Sequence, residues 1–182
     1  EASSAGLVPL VEAALAAGAG RIVIGVGGTA STDGGRPVVE GLTGRLPADV
    51  DLVAATDVEN PLLGPAGAAR SFAPHKGATD AEVVALEQRL TAWAAGAGVD
   101  PAQPGAGAGG GLGYGLLRLG ARRVSGAAVV AEAIGLEAAL TASDLVVTGE
   151  GRLDFSSLTG KVVSFVAGRA QGREVKWENL QE

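Results

Sequence analysis

RIVIGVGGTASTDGG, residues 21–35, decides the fold class, because an apolar run leads directly into a loop rich in glycine and hydroxyl groups. Its first part, RIVIGV at 21–26, has the β-branched composition of a short strand buried on both faces of a parallel sheet. Its second part, GGTASTDGG at 27–35, is predicted to be a loop. Polar side chains therefore follow a buried strand, which is where parallel sheets gather the groups that bind ligands.

The same arrangement recurs further along the chain. Buried strands are predicted at VDLVAA (50–55) and DLVVTG (144–149), and loops that contain aspartate follow both. Helices are predicted from apolar spacing at 3–18, 80–95 and 129–140, and from near Gly160 onward. This alternation favours parallel pairing with right-handed crossovers. The predicted fold class is α/β, a parallel sheet in α/β/α layers, as one unit over 1–182 with an atypical tail at 173–182.

Local signals refine three of these segments. T-D-A-E at 79–82 is a capping box, which marks the start of the helix at 80–95. PGAGAGGGLGYG at 104–115 is so dense in glycine that we expect a shaped loop. Gly135 is expected to interrupt the helix at 129–140.

Composition excludes several classes of protein. The formal charge of −6 argues against nucleic acid as a partner, because phosphate backbones are bound by basic surfaces. The chain has no cysteine and His75 is its one histidine, so disulfide frameworks and clustered Cys or His metal sites are not expected. No apolar run approaches the roughly 20 residues of a membrane span, and the start lacks the basic region of a signal peptide. We expect a soluble, cytoplasmic protein.

The loops after the predicted strands carry the groups that phosphoryl transfer requires. That chemistry needs backbone N–H groups and cations on the phosphates, a carboxylate that holds Mg²⁺, and a base for the attacking hydroxyl. Glycine backbone is available at 27–28 and 105–113, cations at Lys76, Arg152 and Lys161, and carboxylates at Asp33, Asp57, Glu150 and Asp154. A plainer interpretation weighs equally for the last loop: Glu150, Arg152 and Asp154 form a solvated ion pair worth at most about 1 kcal/mol.

Two other phosphate motifs fit less well. Residues 25–30 match the relaxed dinucleotide fingerprint, but Asp33, Gly34, Gly35 and Pro37 crowd the place where its helix should begin. A nicotinamide-binding module therefore stays an alternative. A P-loop would need glycine at Phe155 and a hydroxyl at Val162, so Gly160-Lys161 does not complete one.

Four longer stretches together are more specific than any of these motifs. They are RIVIGVGGTASTDGG (21–35), ATDVENPLLGPAGAARSFAPHKGA (55–78), PGAGAGGGLGYGLL (104–117) and DLVVTGEGRLDFSSLTGK (144–161). In this order they resemble the bacterial glycerate kinase family, the ATP-dependent type unrelated to P-loop kinases. The resemblance implies a fold of two α/β domains with a cleft between them, Mg-ATP, D-glycerate and a phosphoglycerate product. It covers the central part of such an enzyme, since the family's opening strand and its Asp-Ser-Phe-Lys-Gly loop have no counterpart here.

The resemblance also implies a set of site residues. Catalytic roles are expected for Asp57, Asp33, Arg152 and Lys76, and metal binding for Glu150 and Asp154. Cofactor binding is expected for Gly27, Gly28, Thr29, Gly107, Gly109, Gly110, Gly111 and Lys161. Substrate binding is expected for Asn60, His75 and Ser157. Within this set, either Asp57 or Asp33 is the base or a metal ligand, and either Arg152 or Lys76 binds the substrate carboxylate.

Three hypotheses follow. The chain is a glycerate kinase or its core, with ATP and Mg²⁺ as cofactors and a homodimer as one expected assembly. Alternatively, it is an isolated, catalytically inactive domain of such an enzyme. The nicotinamide-binding module is the third hypothesis.

Overall fold

The computed structural model describes residues 2–150, 162–170 and 174–179. The chain forms two compact units, residues 1–124 and 125–182, and each is described by itself. The sequence predicts one α/β unit over 1–182 with an atypical tail at 173–182, and this domain organisation stays a prediction.

The first unit is built on a parallel sheet of β1 (Arg21–Gly25), β2 (Asp51–Ala55) and β3 (Arg122–Val124), in that order. Val23 pairs with Val53, and Ala54 pairs with Arg123. The predictions of strands at 21–26 and 50–55 are confirmed. Strand β3 was not predicted, because three residues with two arginines give no apolar pattern. A two-pronged hydrogen bond from Arg122 to the Asp51 carboxylate, 2.8 Å for each prong, joins β3 to β2.

The first unit also contains five helices and two short 3-10 turns among its described residues. They are a 3-10 turn at Ser4–Gly6, α1 (Leu7–Ala16), α2 (Arg36–Leu42), α3 (Ala68–Phe72), a 3-10 turn at Pro74–Lys76, α4 (Asp80–Ala94) and α5 (Ala108–Arg118). The capping box of α4 is confirmed: the Thr79 hydroxyl accepts the Glu82 N–H at 3.4 Å, and the Glu82 carboxylate accepts the Thr79 N–H at 2.8 Å.

Two segments show where loops end and helices begin. Helix α2 begins at Arg36, with Pro37 in its first turn, where proline is compatible with a helix. It starts beyond residues 25–30, so that segment does not form the helix N-terminus that a dinucleotide fingerprint needs. The glycine-rich stretch 104–115 is a shaped loop in its first part, as expected: Gly109 to Gly111 have left-handed, non-helical backbone, and the regular part of α5 follows from Leu112.

The core of the first unit lies on both sides of α5. Ile22, Ile24 and Leu52 of the sheet pack with Val38 of α2 and Leu112 of α5. A second cluster joins α3, α4 and the other side of α5, and it includes Leu90 and the fully buried Tyr114. Tyr114 therefore packs between helices rather than presenting its ring to a ligand.

The second unit is smaller. It contains α6 (Gly126–Ile134), α7 (Leu136–Thr141), β4 (Leu145–Glu150), α8 (Val162–Arg169) and β5 (Glu174–Asn179), with β4 and β5 parallel. The predicted strand at 144–149 and the predicted interruption at Gly135, where φ is +68°, are confirmed. Residues 174–179 of the expected atypical tail form strand β5. None of the helices described in either unit is long and apolar enough to cross a bilayer.

Candidate active site

Lys76 connects two loops of the first unit. It lies at the end of the 3-10 turn after α3, and its Nζ donates to Thr29 Oγ1 at 3.2 Å and to the Ser31 carbonyl at 2.5 Å. Both acceptors belong to the loop that follows β1. An ammonium carries one more N–H donor than these two acceptors use. The half-buried cation therefore holds the loop in place and keeps a donor for a ligand.

A run of left-handed glycines lies against the same loop. Gly110 has φ +69°, and a Cβ at this position would lie 2.1 Å from the Ser31 carbonyl oxygen and 2.8 Å from Lys76 Nζ. Its carbonyl accepts the Gly34 N–H at 3.1 Å. Because only glycine allows both this φ and this close approach, the run brings backbone to within hydrogen-bonding distance of the β1 loop. Gly110 therefore lies directly beside Lys76.

Asp33 shapes this loop. Its two carboxylate oxygens accept the Ser4 N–H at 2.7 Å and the Gly35 N–H at 3.0 Å. The carboxylate is thus occupied by backbone donors at the entrance to α2, and its negative charge also acts on Lys76. Burial lowers the pKa of Lys76 below its ordinary value of 10.5, and the Asp33 charge opposes that shift without cancelling it.

Replacing Lys76 by Met should lower the free energy of unfolding by about 1–3 kcal/mol, because the Ser31 carbonyl loses its donor. The difference should depend on pH. Since the folded pKa of Lys76 is lowered, the folded chain binds fewer protons than the unfolded chain between the folded pKa and 10.5. Wild-type stability should therefore rise with pH in that window relative to K76M. Urea unfolding of both proteins from pH 7 to 10.5 tests this, and a constant difference would contradict the lowered pKa.

The segment after β2 places other predicted residues. The Asp57 side chain is exposed and, within the described part of the chain, makes no hydrogen bond or ion pair. Asn60 instead closes its own loop, because its Nδ2 donates to the Ala66 carbonyl at 2.8 Å and to Ser71 Oγ at 3.3 Å. The Gly107 N–H donates to the Asn60 carbonyl at 2.9 Å, which attaches the glycine-rich stretch to this loop.

A cleft of about 740 Å³ opens beside Lys76. Its walls include Thr32 and Asp33 from the β1 loop, Lys76, and Glu82 and Trp93 from α4. The volume is in the range of small-molecule sites. Trp93 is half-buried: it packs against the second core cluster, and its Nε1 donates to the Gly34 carbonyl at 3.1 Å. Helical spacing could not predict that Trp93 lines the cleft, because the spacing identifies one face of α4 but not the elements that pack against it.

The remaining predicted residues divide into three groups. Gly27, Gly28 and His75 are exposed in the first unit. Glu150 ends β4 in the second unit. Arg152, Asp154, Ser157 and Lys161 lie outside the described residues. Among the described residues there is no group of three or more His, Cys, Asp or Glu that could hold a metal ion.

Comparison with known proteins decides the family. The model of the glycerate kinase family matches residues 1–49 and 40–178, which together span nearly the whole chain. The chain belongs to the glycerate kinase family. A crystal structure of a glycerate kinase 2 from Salmonella typhimurium LT2 superimposes with a TM-score of 0.81 at 34% identity, covering 96% of this chain and 56% of that one. The predicted α/β fold class and the resemblance are thereby confirmed.

Curated relatives agree. An uncharacterized protein of Mycobacterium bovis is 53% identical, over 93% of this glycerate kinase family chain and 47% of its own length. The glycerate kinase of Bacillus subtilis is 37% identical over 91% and 53% of the two chains, and the glycerate 2-kinase of Escherichia coli is 37% identical over 93% and 54%. The chain thus spans about half the length of the curated relatives it matches.

Proposed function

We propose that this chain carries part of the active site of an ATP-dependent kinase that phosphorylates D-glycerate to a phosphoglycerate. The observation that carries the proposal is the position of Lys76, whose ammonium binds the β1 loop and lines the cleft. A cation with a remaining donor at the carboxyl end of a parallel sheet suits a phosphate or carboxylate ligand. Membership of the glycerate kinase family supports this choice of substrate.

Of the two aspartates considered as base, Asp57 fits better. Both oxygens of Asp33 accept backbone N–H groups, so Asp33 is committed to the shape of the loop. Asp57 lies two residues after the end of β2, and its exposed side chain has no described hydrogen-bond partner. We assign to Asp57 the acceptance of the proton from the attacking hydroxyl, and to Asp33 the positioning of the β1 loop.

The glycines divide in the same way. Gly27 and Gly28 are exposed, and a Cβ at either would meet no atom within 4 Å, so their backbone is open to a ligand. A Cβ at Gly107 would lie 2.2 Å from the Pro61 carbonyl oxygen and one at Gly111 2.7 Å from Gly34 Cα, which explains these glycines by packing. We therefore propose that Gly27, Gly28 and Thr29 contact phosphate oxygens, while Gly107, Gly110 and Gly111 position the loops; the half-buried Gly109 stays with the cofactor set.

ATP, when bound, supplies the transferred phosphoryl group, and Mg²⁺ neutralises its charge. Magnesium bound together with phosphates needs only one or two protein carboxylates, so a cluster of three is not required. Glu150 and Asp154 stay the proposed metal ligands, Arg152 and Lys161 the further cations, and His75, Asn60 and Ser157 the proposed substrate contacts. We also propose a cytoplasmic location and assembly as a homodimer, which sedimentation velocity would test.

The test is phosphorus NMR of the chain with Mg-ATP and D-glycerate. We expect a new phosphomonoester signal that depends on D-glycerate, and its chemical shift distinguishes the 2-phosphate from the 3-phosphate. Circular dichroism on the same sample shows whether the protein is folded. If a folded sample leaves ATP unchanged, the chain is an inactive domain of such a kinase.

A further inference from the structure

We infer that an arginine cluster around Trp93, formed by Arg36, Arg89 and Arg118, binds a small phosphate-bearing anion in a cavity that adjoins the cleft beside Lys76. The inference does not depend on the proposed kinase activity, because it rests on a different set of side chains. The cluster joins α2, α4 and α5 within the first unit.

Two guanidinium groups lie over the Trp93 indole. Arg118 Cζ is 4.0 Å from the ring centroid and Arg36 Cζ is 5.6 Å from it. The indole itself is held by its N–H, which donates to the Gly34 carbonyl. Cations over an aromatic face are attracted to it, but that attraction leaves the guanidinium N–H donors available. The ring therefore orders the arginines without using their hydrogen-bonding capacity.

The cluster borders a cavity of about 430 Å³. Arg36, Arg89 and Trp93 also line the cleft beside Lys76, whereas Arg118 lines only the smaller cavity. The three arginines and Trp93 line it, together with small residues, and the described lining contains no carboxylate. The ion pair in which Arg36 Nε donates to Glu40 Oε1 at 2.7 Å uses one edge of one guanidinium. Arg118 has no ion pair with a described residue. Three positively charged side chains therefore line one concave surface, although the chain as a whole has a formal charge of −6.

The ligand class follows from the donors. Planar guanidinium forks match the oxygens of phosphate with paired hydrogen bonds, whereas the small residues of the wall leave room for a short organic group. A phosphomonoester of a small metabolite satisfies both conditions. We expect an anion bound at the cluster to affect the β1 loop as well. Trp93 donates a hydrogen bond to the Gly34 carbonyl, and the Gly34 N–H donates to the carbonyl of Gly110, which lies beside Lys76.

Tryptophan fluorescence provides the test. The chain has two tryptophans, so the Trp177→Phe variant reports on Trp93 alone. We would titrate it with glycerol 3-phosphate and with inorganic phosphate, and with chloride at matched ionic strength. We expect a saturable change with the phosphates but not with chloride. Isothermal titration of the unsubstituted chain gives the same constant without any tryptophan replacement.

Variants locate the site. Arg118→Gln should weaken binding about tenfold or more, because it removes a charge-assisted pair of donors. Arg70→Gln is the matched control, since Arg70 is an exposed arginine at the end of α3 that lines neither cavity, and it should bind like the parent. Arg36→Gln is the second variant if R118Q does not fold. Unchanged affinity in both cluster variants, or an equal response to chloride, would each overturn the inference.

Discussion

Replacing Gly110 by Ala should lower the melting temperature by roughly 10 °C, the largest stability effect we expect from a single methyl group in this chain. The new Cβ would lie 2.1 Å from the Ser31 carbonyl oxygen and 2.8 Å from Thr32 Cα. Both are backbone atoms, so no side-chain rotation relieves the contact. Overpacking and the left-handed φ of +69° together cost about 3–5 kcal/mol. Thermal unfolding followed by circular dichroism measures the shift.

Gly44→Ala separates the two causes. Gly44 has a comparable φ of +75°, but a Cβ there would meet no atom within 4 Å. It should therefore show only the conformational cost of about 1–2 kcal/mol, a shift of a few degrees. If G44A and G110A melt at the same temperature, the close approach of Gly110 to the β1 loop is not real, and the coupling of that loop to the glycine run fails with it.

Local patterns predicted the elements that rest on local physics. The β-branched run at 21–26 and the run at 50–55 became β1 and β2, and Thr79 and Glu82 marked the start of α4 to the residue. In each case the signal and the interaction that stabilises the element lie within a few residues of each other. Elements of this kind can therefore be predicted without knowledge of the rest of the fold.

The glycine run shows where such patterns stop. From composition, 104–115 favoured a loop, and the left-handed backbone of Gly109 to Gly111 agrees with that. The helical turns that follow the run are stabilised by long-range packing, since Leu112 and Leu116 of α5 join the core formed by Ile22 and Leu52 of the sheet. A propensity for loop is overridden by partners more than 50 residues away in the chain, which no local window contains.

The candidate site was also predicted only in part. Sequence placed Lys76 and Asp33 among the site residues, and the structure brings both to one cleft. It did not distinguish their roles, because the role of Asp33 depends on the Ser4 N–H, a contact made across 29 positions of the chain. The Ser31 carbonyl, which accepts a hydrogen bond from Lys76, could not be predicted. Every residue has a main-chain carbonyl, so the residue type does not show which carbonyl binds a side chain.

Replacing Asp57 by Asn should reduce kcat for D-glycerate phosphorylation by about 100-fold or more while KM changes little. Removal of a positioned general base costs about 10²- to 10⁴-fold, and an amide keeps the size of the side chain but does not accept the hydroxyl proton. The substitution should leave stability within about 0.5 kcal/mol, because the side chain is exposed and has no described partner. Initial rates of product formation across a range of D-glycerate concentrations measure both constants.

Asp49→Asn provides the matched control. Asp49 is also exposed, but it lies just before β2 begins at Asp51, at the opposite end of the strand from Asp57. The D49N substitution removes the same charge from the chain as D57N. It should keep kcat within about twofold, since surface changes away from a site are nearly neutral. A loss confined to D57N therefore assigns the base to the carboxyl end of the sheet. If D57N instead raises KM at constant kcat, Asp57 binds substrate in the ground state and the proton acceptor is another group.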